Sequence, residues 1–260
     1  MDYIQNKRKI INPFINFAKT KPRLFDLLRS IKRFFETNHG RIYNFLYNFS
    51  NEHNNKVTFV QIGANDGLRN DPIREFVVKN EWKGIFIEPL YDVFTLLKYN
   101  YSYIKSKNLI FINLAISDRD NEELNFYSID ENYLNGLPLE ARLNFLRKSS
   151  FKKEHLERFL ASNGLSNNLI RQKLVPTITL EKLFEKFFIN EKINLLVVDA
   201  EGYDAKILKK IPFDKKRPEA ILFETHNLGE QKHQLFEVLE NENYRIEELD
   251  GDAIALDQLE

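Results

Sequence analysis

Two short segments concentrate side chains able to do chemistry: Asp199-Ala200-Glu201 and Glu224-Thr225-His226. Each follows an apolar run, Ile193–Val198 and Ala220–Phe223. Residues two apart in an extended chain project to the same side, so each segment can present both of its functional groups together. If the two runs are neighbouring strands, three carboxylates and an imidazole converge. That is costly unless one group is protonated or a cation is bound. Three readings follow. Asp199, Glu201 or His226 can serve as catalytic acid–base groups toward a hydroxyl. Alternatively, Asp199, Glu224 and His226 hold a divalent metal that lowers the pKa of a bound hydroxyl; an imidazole ligand suits Mn or Fe better than Mg. In the third reading Glu201 and Glu224 pair with Lys206 or Arg217, and His226 is an ordinary loop histidine. His155 is a second-rank candidate.

A third segment prepares a ligand loop. The apolar run Val57–Ile62 ends in Gly63-Ala64-Asn65-Asp66-Gly67. A dinucleotide fingerprint G-x-G-x-x-G starting at Gly63 needs glycine at 65 and 68, where the chain has Asn65 and Leu68. No Gly-Lys-Ser/Thr follows, so it is not a phosphate-binding P-loop either. A tight loop of small and polar residues remains, one that admits an adenosyl group with a charged tail. Glu88 follows the run Gly84–Ile87, and an acid at the end of a second strand can accept hydrogen bonds from both ribose hydroxyls.

These residues need strand ends to carry them. The pattern from Val57 onward alternates short apolar runs with amphipathic stretches: strands at 57–62, 84–88, 109–114, 193–198 and 220–223, and helices starting near Asp71-Pro72, over 93–101, over 205–211 and around Leu235–Leu239. Such alternation predicts an α/β fold with a parallel sheet covered on both faces. Tyr244–Leu249 and Ala253–Leu256 flank Asp-Gly-Asp, which predicts a C-terminal antiparallel hairpin. Residues 127–175 interrupt the alternation with helices expected at 139–148 and 155–161, a substrate-facing insertion by its length. Residues 1–56 form a separate N-terminal helical extension: 23–36 place Leu24, Leu27, Leu28, Ile31, Phe34 and Phe35 on one helical face and Arg29, Lys32 and Arg33 on the other.

Composition bounds the function. The 260 residues are 43% apolar, enough for one large domain, residues 57–260, with an appendage. No cysteine is present, which excludes disulfides and thiolate chemistry. No apolar run approaches the roughly 18 residues of a membrane span, and the first residues lack a secretory h-region; a cytoplasmic protein is expected. Net charge is zero, yet residues 1–50 hold ten Lys/Arg against three Asp/Glu. An acidic main domain argues against a nucleic-acid partner. The basic helices have three open roles: contact with a membrane surface, homodimer formation, or capping of their own domain.

Taken together, V-Q-I-G-A-N-D-G, N-D-P-I-R-E-F, W-K-G-I-F-I-E-P, N-L-A-I-S-D, L-L-V-V-D-A-E-G-Y-D-A-K-I-L, P-E-A-I-L-F-E-T-H and G-D-A-I-A, in this order from about residue 57 to 256, resemble the FkbM-type methyltransferases. The resemblance implies a class I, Rossmann-like methyltransferase fold with a mostly parallel seven-stranded sheet. It also implies transfer of methyl from S-adenosyl-L-methionine to oxygen, usually a sugar hydroxyl, on a carbohydrate or nucleotide-sugar substrate of the kind used in polysaccharide biosynthesis. Gln61, Gly63, Ala64, Asn65, Asp66 and Gly67 would line the methionine side of the cofactor, Glu88 would hold the ribose, and Ala115, Ile116 and Ser117 would sit against the adenine. Gln61 stands where many methyltransferases carry an acid, so no direct charge pair to the cofactor's amino group is implied there. A nicotinamide-dependent sugar-nucleotide oxidoreductase is the alternative enzyme, opposed by the failed glycine pattern and the C-terminal hairpin. A non-catalytic S-adenosylmethionine-binding module is the other, and it would have no use for the acidic cluster.

Overall fold

Apolar residues at nearly every position, rather than every second one, mark strands buried on both faces. The computed structural model, which describes residues 20–34, 40–80, 82–104, 108–120, 122–188, 191–249 and 251–259, contains ten strands: β1 Thr58–Ile62, β2 Lys83–Ile87, β3 Leu109–Ile112, β4 Ala115–Ile116, β5 Glu123–Ile129, β6 Ile170–Ile178, β7 Leu195–Val198, β8 Ala220–Glu224, β9 Tyr244–Leu249 and β10 Asp252–Asp257. Seven form the main sheet in the order β3-β2-β1-β7-β8-β10-β9. The pairings from β3 through β8 are parallel, while β10 runs antiparallel to both β8 and β9. The expected mostly parallel seven-stranded sheet with its terminal hairpin is therefore present.

Register positions the chemistry. Ile62 pairs with Ile87 on one side and Val198 on the other, and Val198 pairs with Phe223. The residues that follow, Gly63, Glu88, Asp199 and Glu224, thus emerge level at one edge. Chain order reverses at β1, with β2 to one side and the later β7 to the other, which opens a crevice at the carboxyl ends of the strands. Asp252 pairs with Glu224, so the hairpin closes the far side of that edge.

The insertion differs from its sequence reading. Its helices occur as expected, over Leu139–Leu146 and Lys153–Ser162, with a short one over Glu131–Asn135. It also carries a second sheet, β4-β6-β5, in which β5 and β6 pair antiparallel along their length. Phe126, Ile129, Leu134, Leu143, Leu156 and Leu160 form its own apolar core. Alternation in Glu123–Ile129 was a legible strand signal; Pro176, inside β6 opposite Glu123, obscured the partner strand, since proline lacks a ladder donor.

The N-terminal helices Pro22–Phe34 and Arg41–Glu52 pack on the β1–β2 side; Phe35 and Glu36 of the expected first helix, and residues 1–19, lie outside the described residues. Leu27 and Ile31 face outward (57% and 39% exposed), and Phe25 instead turns inward against Leu68. The cause is Arg74. Its guanidinium is fully buried and donates to both Asp26 carboxylate oxygens at 2.8 Å, to Gly67 O at 2.6 Å and to Asn100 O at 2.9 Å. It also lies over the Tyr101 ring, 4.6 Å from the centroid. Arg29 donates to Asp71 O at 3.4 Å and Arg33 reaches Glu75 at 3.5 Å, so part of the basic face rests on acidic residues of the main domain. Among the described residues no helix is long and apolar enough to cross a membrane.

Removing one partner of a buried ion pair strands the other charge. Asp26→Ala is therefore expected to cost about 3 kcal/mol, read as a lower urea midpoint with an unchanged slope; a change under about 0.5 kcal/mol would mean that water already reaches Arg74.

Candidate active site

At Gly63 the backbone turns with φ +72°, and a Cβ there would stand 1.8 Å from the Asp199 carbonyl oxygen. Only glycine lets β1 hand its chain to the loop this close to β7. The Gly63 and Ala64 amides both donate to Ile87 O at 3.0 Å. Asn65 takes the left-handed conformation, φ +49°, and its side-chain amide donates to Gly63 O at 3.1 Å. This local bond is why asparagine tolerates the region.

Glu88 locks onto the loop. Its Oε2 accepts from Asn65 N at 3.1 Å and its Oε1 from Leu90 N at 2.9 Å. Burial pushes its carboxyl up to about 7, against the two amides that favour the charged form. Each oxygen keeps a further lone pair for a ligand hydroxyl. A cleft opens here, bordered by Gly63, Asn65, Glu88, Ala115, Ile116 and Asp199. Ser117 is not among its walls; its Oγ accepts from Arg119 N within its own turn.

A second cleft adjoins it, bordered by Gln61, Ala64, Arg69, Glu224, His226 and Asp252 among others. The two share Gly63, Asn65, Arg147, Asp199 and Glu201. Gln61 reaches Asp71 at 3.5 Å through Nε2, while its Oε1 is buried without a partner. Asp66 and Gly67 shape the loop from behind. The Asp66 carboxylate accepts from the Leu68 and Arg69 amides and pairs with the Arg69 guanidinium, and a Cβ on Gly67 would press on Leu97 and Tyr101.

Carboxylate oxygens of Asp199, Glu201 and Glu224 all lie within 4.8 Å of one another. His226 stands outside that group, more than half exposed, with Nδ1 3.1 Å from Glu224 Oε1. Asp204 holds the turn between them: its two oxygens accept from Ala200 N and Gly202 N at 3.0 Å each. Burial raises the Asp204 carboxyl to about 7. Glu201 sits at φ +48°, a left-handed conformation that a non-glycine residue keeps only when its surroundings hold it.

Charge is distributed unequally across the cluster. Asp199 Oδ1 is buried without a partner, and burial, then the nearby Glu201, Glu224 and Asp204, drive its pKa well above the usual range. Burial would also raise Glu201, but His155 and Lys148 outweigh it and hold that carboxyl below its usual value. Lys148 Nζ sits 2.7 and 3.0 Å from the Glu201 oxygens. His155 Nε2 lies 3.1 Å away without hydrogen-bond alignment. Burial and Glu201 raise Glu224, which accepts from Asn227 Nδ2 at 2.6 Å.

The ion pairs of the third reading, Glu201 and Glu224 with Lys206 or Arg217, do not form among the described residues. The Lys206 ammonium lies over the Tyr203 ring, and Arg217 pairs with Asp257 and Glu242. Lys148, Asn227, Asp204 and Arg147 were missed in the sequence. Of these only Asp204 had a local signal, an acid placed to accept from the turn just before it.

Residues 61–246 match the family model described as the methyltransferase FkbM domain. The chain belongs to the FkbM methyltransferase family. That membership sets the nicotinamide-dependent reading aside and makes the protein a member of an S-adenosylmethionine-dependent methyltransferase family. Among solved structures, the methyltransferase FkbM from Methylobacillus flagellatus KT is 10% identical, covers 94% of this chain and 58% of its own, with a TM-score of 0.47. Fibrillarin from Methanococcus jannaschii is 12% identical over 78% of this chain and 66% of its own, TM-score 0.40. Fibrillarin from Aeropyrum pernix, solved with natively bound S-adenosyl-L-methionine, is 11% identical over 76% and 65%, TM-score 0.39. No curated protein matches the sequence.

Within this FkbM domain the Lys148–Glu201 pair fastens the insertion to the turn after β7. Because Glu201 titrates lower in the fold than in an unfolded chain, the pair stabilises above the usual carboxylate range and its contribution fades as acid protonates Glu201. Lys148→Met is expected to lower stability by about 2 kcal/mol near neutral pH and by less at a pH well below the usual glutamate value of about 4.3. Thermal unfolding at both pH values checks this.

Proposed function

We propose that this chain methylates a sugar hydroxyl, on a nucleotide sugar or a surface-glycan precursor, using S-adenosylmethionine. In this reading Glu88 holds both ribose hydroxyls, Ala115 and Ile116 flank the adenine, and the backbone of Gly63–Asn65 with Gln61 faces the methionine end. The unpartnered Gln61 Oε1 is a free acceptor for the methionine ammonium. The acceptor sugar occupies the second cleft.

A sulfonium already activates its methyl carbon, so the protein's task is the hydroxyl, a poor nucleophile until it loses a proton. The observation that carries the proposal is the lone Asp199 Oδ1, buried where the two clefts meet. Asp199 takes the hydroxyl proton, the oxygen attacks the methyl carbon, and the carbon–sulfur bond breaks with its electron pair left on a neutral sulfide. Glu201 positions the turn, and His226 beside Glu224 at the mouth can pass the proton to solvent.

A second reading is favoured by three carboxylates within 4.8 Å. Asp199 and Glu224, with Glu201 or His226, would hold a divalent ion (Mn, Fe or Mg) that supplies Lewis acidity to the acceptor oxygen. The oxygen donors fit a hard cation, although Lys148 already neutralises Glu201. Exhaustive chelation separates the readings: undiminished turnover rejects the metal.

Methyl transfer to a panel of nucleotide sugars and glycosides, read by mass spectrometry, tests the function itself. Asp199→Asn is expected to lower kcat about 100-fold or more with cofactor affinity nearly unchanged; equal losses in both would remove Asp199 from the base role. Glu88 gives an independent test. Its free-enzyme value of about 7 lies above the usual carboxylate range, and the ionised form is the better acceptor. Affinity for S-adenosylhomocysteine should thus climb as pH rises through about 7, and Glu88→Gln should flatten the slope. A wild-type profile that is flat or falling across that interval would contradict the ribose assignment.

A further inference from the structure

Three cationic side chains border the acceptor cleft besides His226: Arg69, Arg147 and Lys148. Two are committed. Arg69 is buried between Asp66 and Glu140, and Lys148 is bound to Glu201. Arg147 donates to Asn144 Oδ1 and pairs with no carboxylate among the described residues. It borders both clefts, beside Asp199 and Glu201.

Its place is fixed by its neighbours. The Arg147 amide donates to Leu143 O at 3.0 Å and so ends the helix Leu139–Leu146. Lys148 binds the Glu201 carboxylate, and Ser150 Oγ donates to Glu201 O at 2.9 Å. Arg147 therefore stands on the border of both clefts, where on this reading methyl donor and acceptor meet. A sulfonium brings a second positive charge to the same place. The carboxylates of Asp199, Glu201 and Glu224 can balance that charge, but none of them pairs with Arg147 among the described residues. A planar guanidinium matches paired anionic oxygens and can bind them bidentately.

We propose that Arg147 is an anion-reading residue that selects acceptors carrying a phosphate or carboxylate near the methylated hydroxyl. The proposal rests on the sugar-methyltransferase reading and narrows its substrate class to acidic or phosphorylated sugars. Arg147 sits in the cleft wall rather than the core, so its replacement leaves the fold in place, and cofactor affinity doubles as the check on folding.

The test uses the full chain saturated with S-adenosylhomocysteine and titrated calorimetrically with pyrophosphate, glucuronate and neutral methyl glucoside. Expected are binding of one or both anions, weakening by about tenfold or more in Arg147→Met and by less in Arg147→Lys, and S-adenosylhomocysteine affinity within about twofold of wild type. The pyrophosphate and glucuronate arms tell a phosphorylated acceptor from an acidic one. A tenfold loss of S-adenosylhomocysteine affinity in Arg147→Met would instead give Arg147 to the cofactor's own carboxylate and overturn the proposal. So would anion binding that is absent or indifferent to Arg147. Wild-type methyl transfer to a neutral glycoside with a KM as low as that for an acidic or phosphorylated one sinks the proposal but leaves the methyltransferase reading standing. Arg147-dependent anion binding with no transfer to any sugar does the reverse.

Discussion

The site depends on how closely two strand ends approach. Gly63 leaves β1 with its α-carbon turned toward the Asp199 carbonyl, and no side chain fits between them. That contact brings the ligand loop and the carboxylate cluster into one wall. It also explains why two clefts share residues 63, 65, 199 and 201. A wider separation would leave room for a longer side chain at 63 and would move the lone Asp199 oxygen away from the loop. The glycine in this loop is thus a matter of distance between strands as much as of backbone freedom.

The second constraint is charge. Asp199, Glu201, Glu224 and Asp204 crowd a small volume, and among the described residues only Lys148, on the insertion, stands within ion-pair distance of one of them as a permanent cation. Burial and mutual repulsion therefore keep Asp199, Glu224 and Asp204 above their usual range, while Glu201 alone is held below it. The insertion does more than wall the cleft: it supplies the counter-charge that lets Glu201 remain ionised in a left-handed turn.

Legibility in the sequence followed the range of the interactions. Strands β1, β7 and β8 are apolar on both faces and could be read within about two residues, as could the acids that follow them. Glu88 could be read because it ends such a strand. Lys148 could not be assigned to Glu201, because they stand 53 positions apart in the chain and nothing local marks the pair. The sheet β5–β6 was hidden by half-exposed strands and Pro176. The inward face of the helix Pro22–Phe34 was misread in part for a related reason. Of the stripe read from periodicity, Leu24 and Leu28 do pack against Phe25 and Leu68, while Leu27 and Ile31 stay exposed and Asp26 binds Arg74.

On the proposed reading, the charge balance also orders the reaction. Without the cofactor, Asp199 is a poor acid in a crowded anionic pocket, and protonation relieves the crowding. A sulfonium arriving at the shared wall favours the ionised carboxylate, because an opposite charge nearby stabilises the charged form. The base is thereby prepared only when a methyl group is present to transfer. Transfer turns the sulfonium into a neutral sulfide. The field that kept Asp199 ionised disappears in the same step that delivers a proton to it, so the carboxyl ends the step in the protonation state its surroundings favour. Return of that proton to solvent, past Glu224 and the exposed His226, resets the site when the next cofactor binds. A carboxylate with an ordinary pKa would accept the proton less readily; one left unpaired among its neighbours is driven to take it.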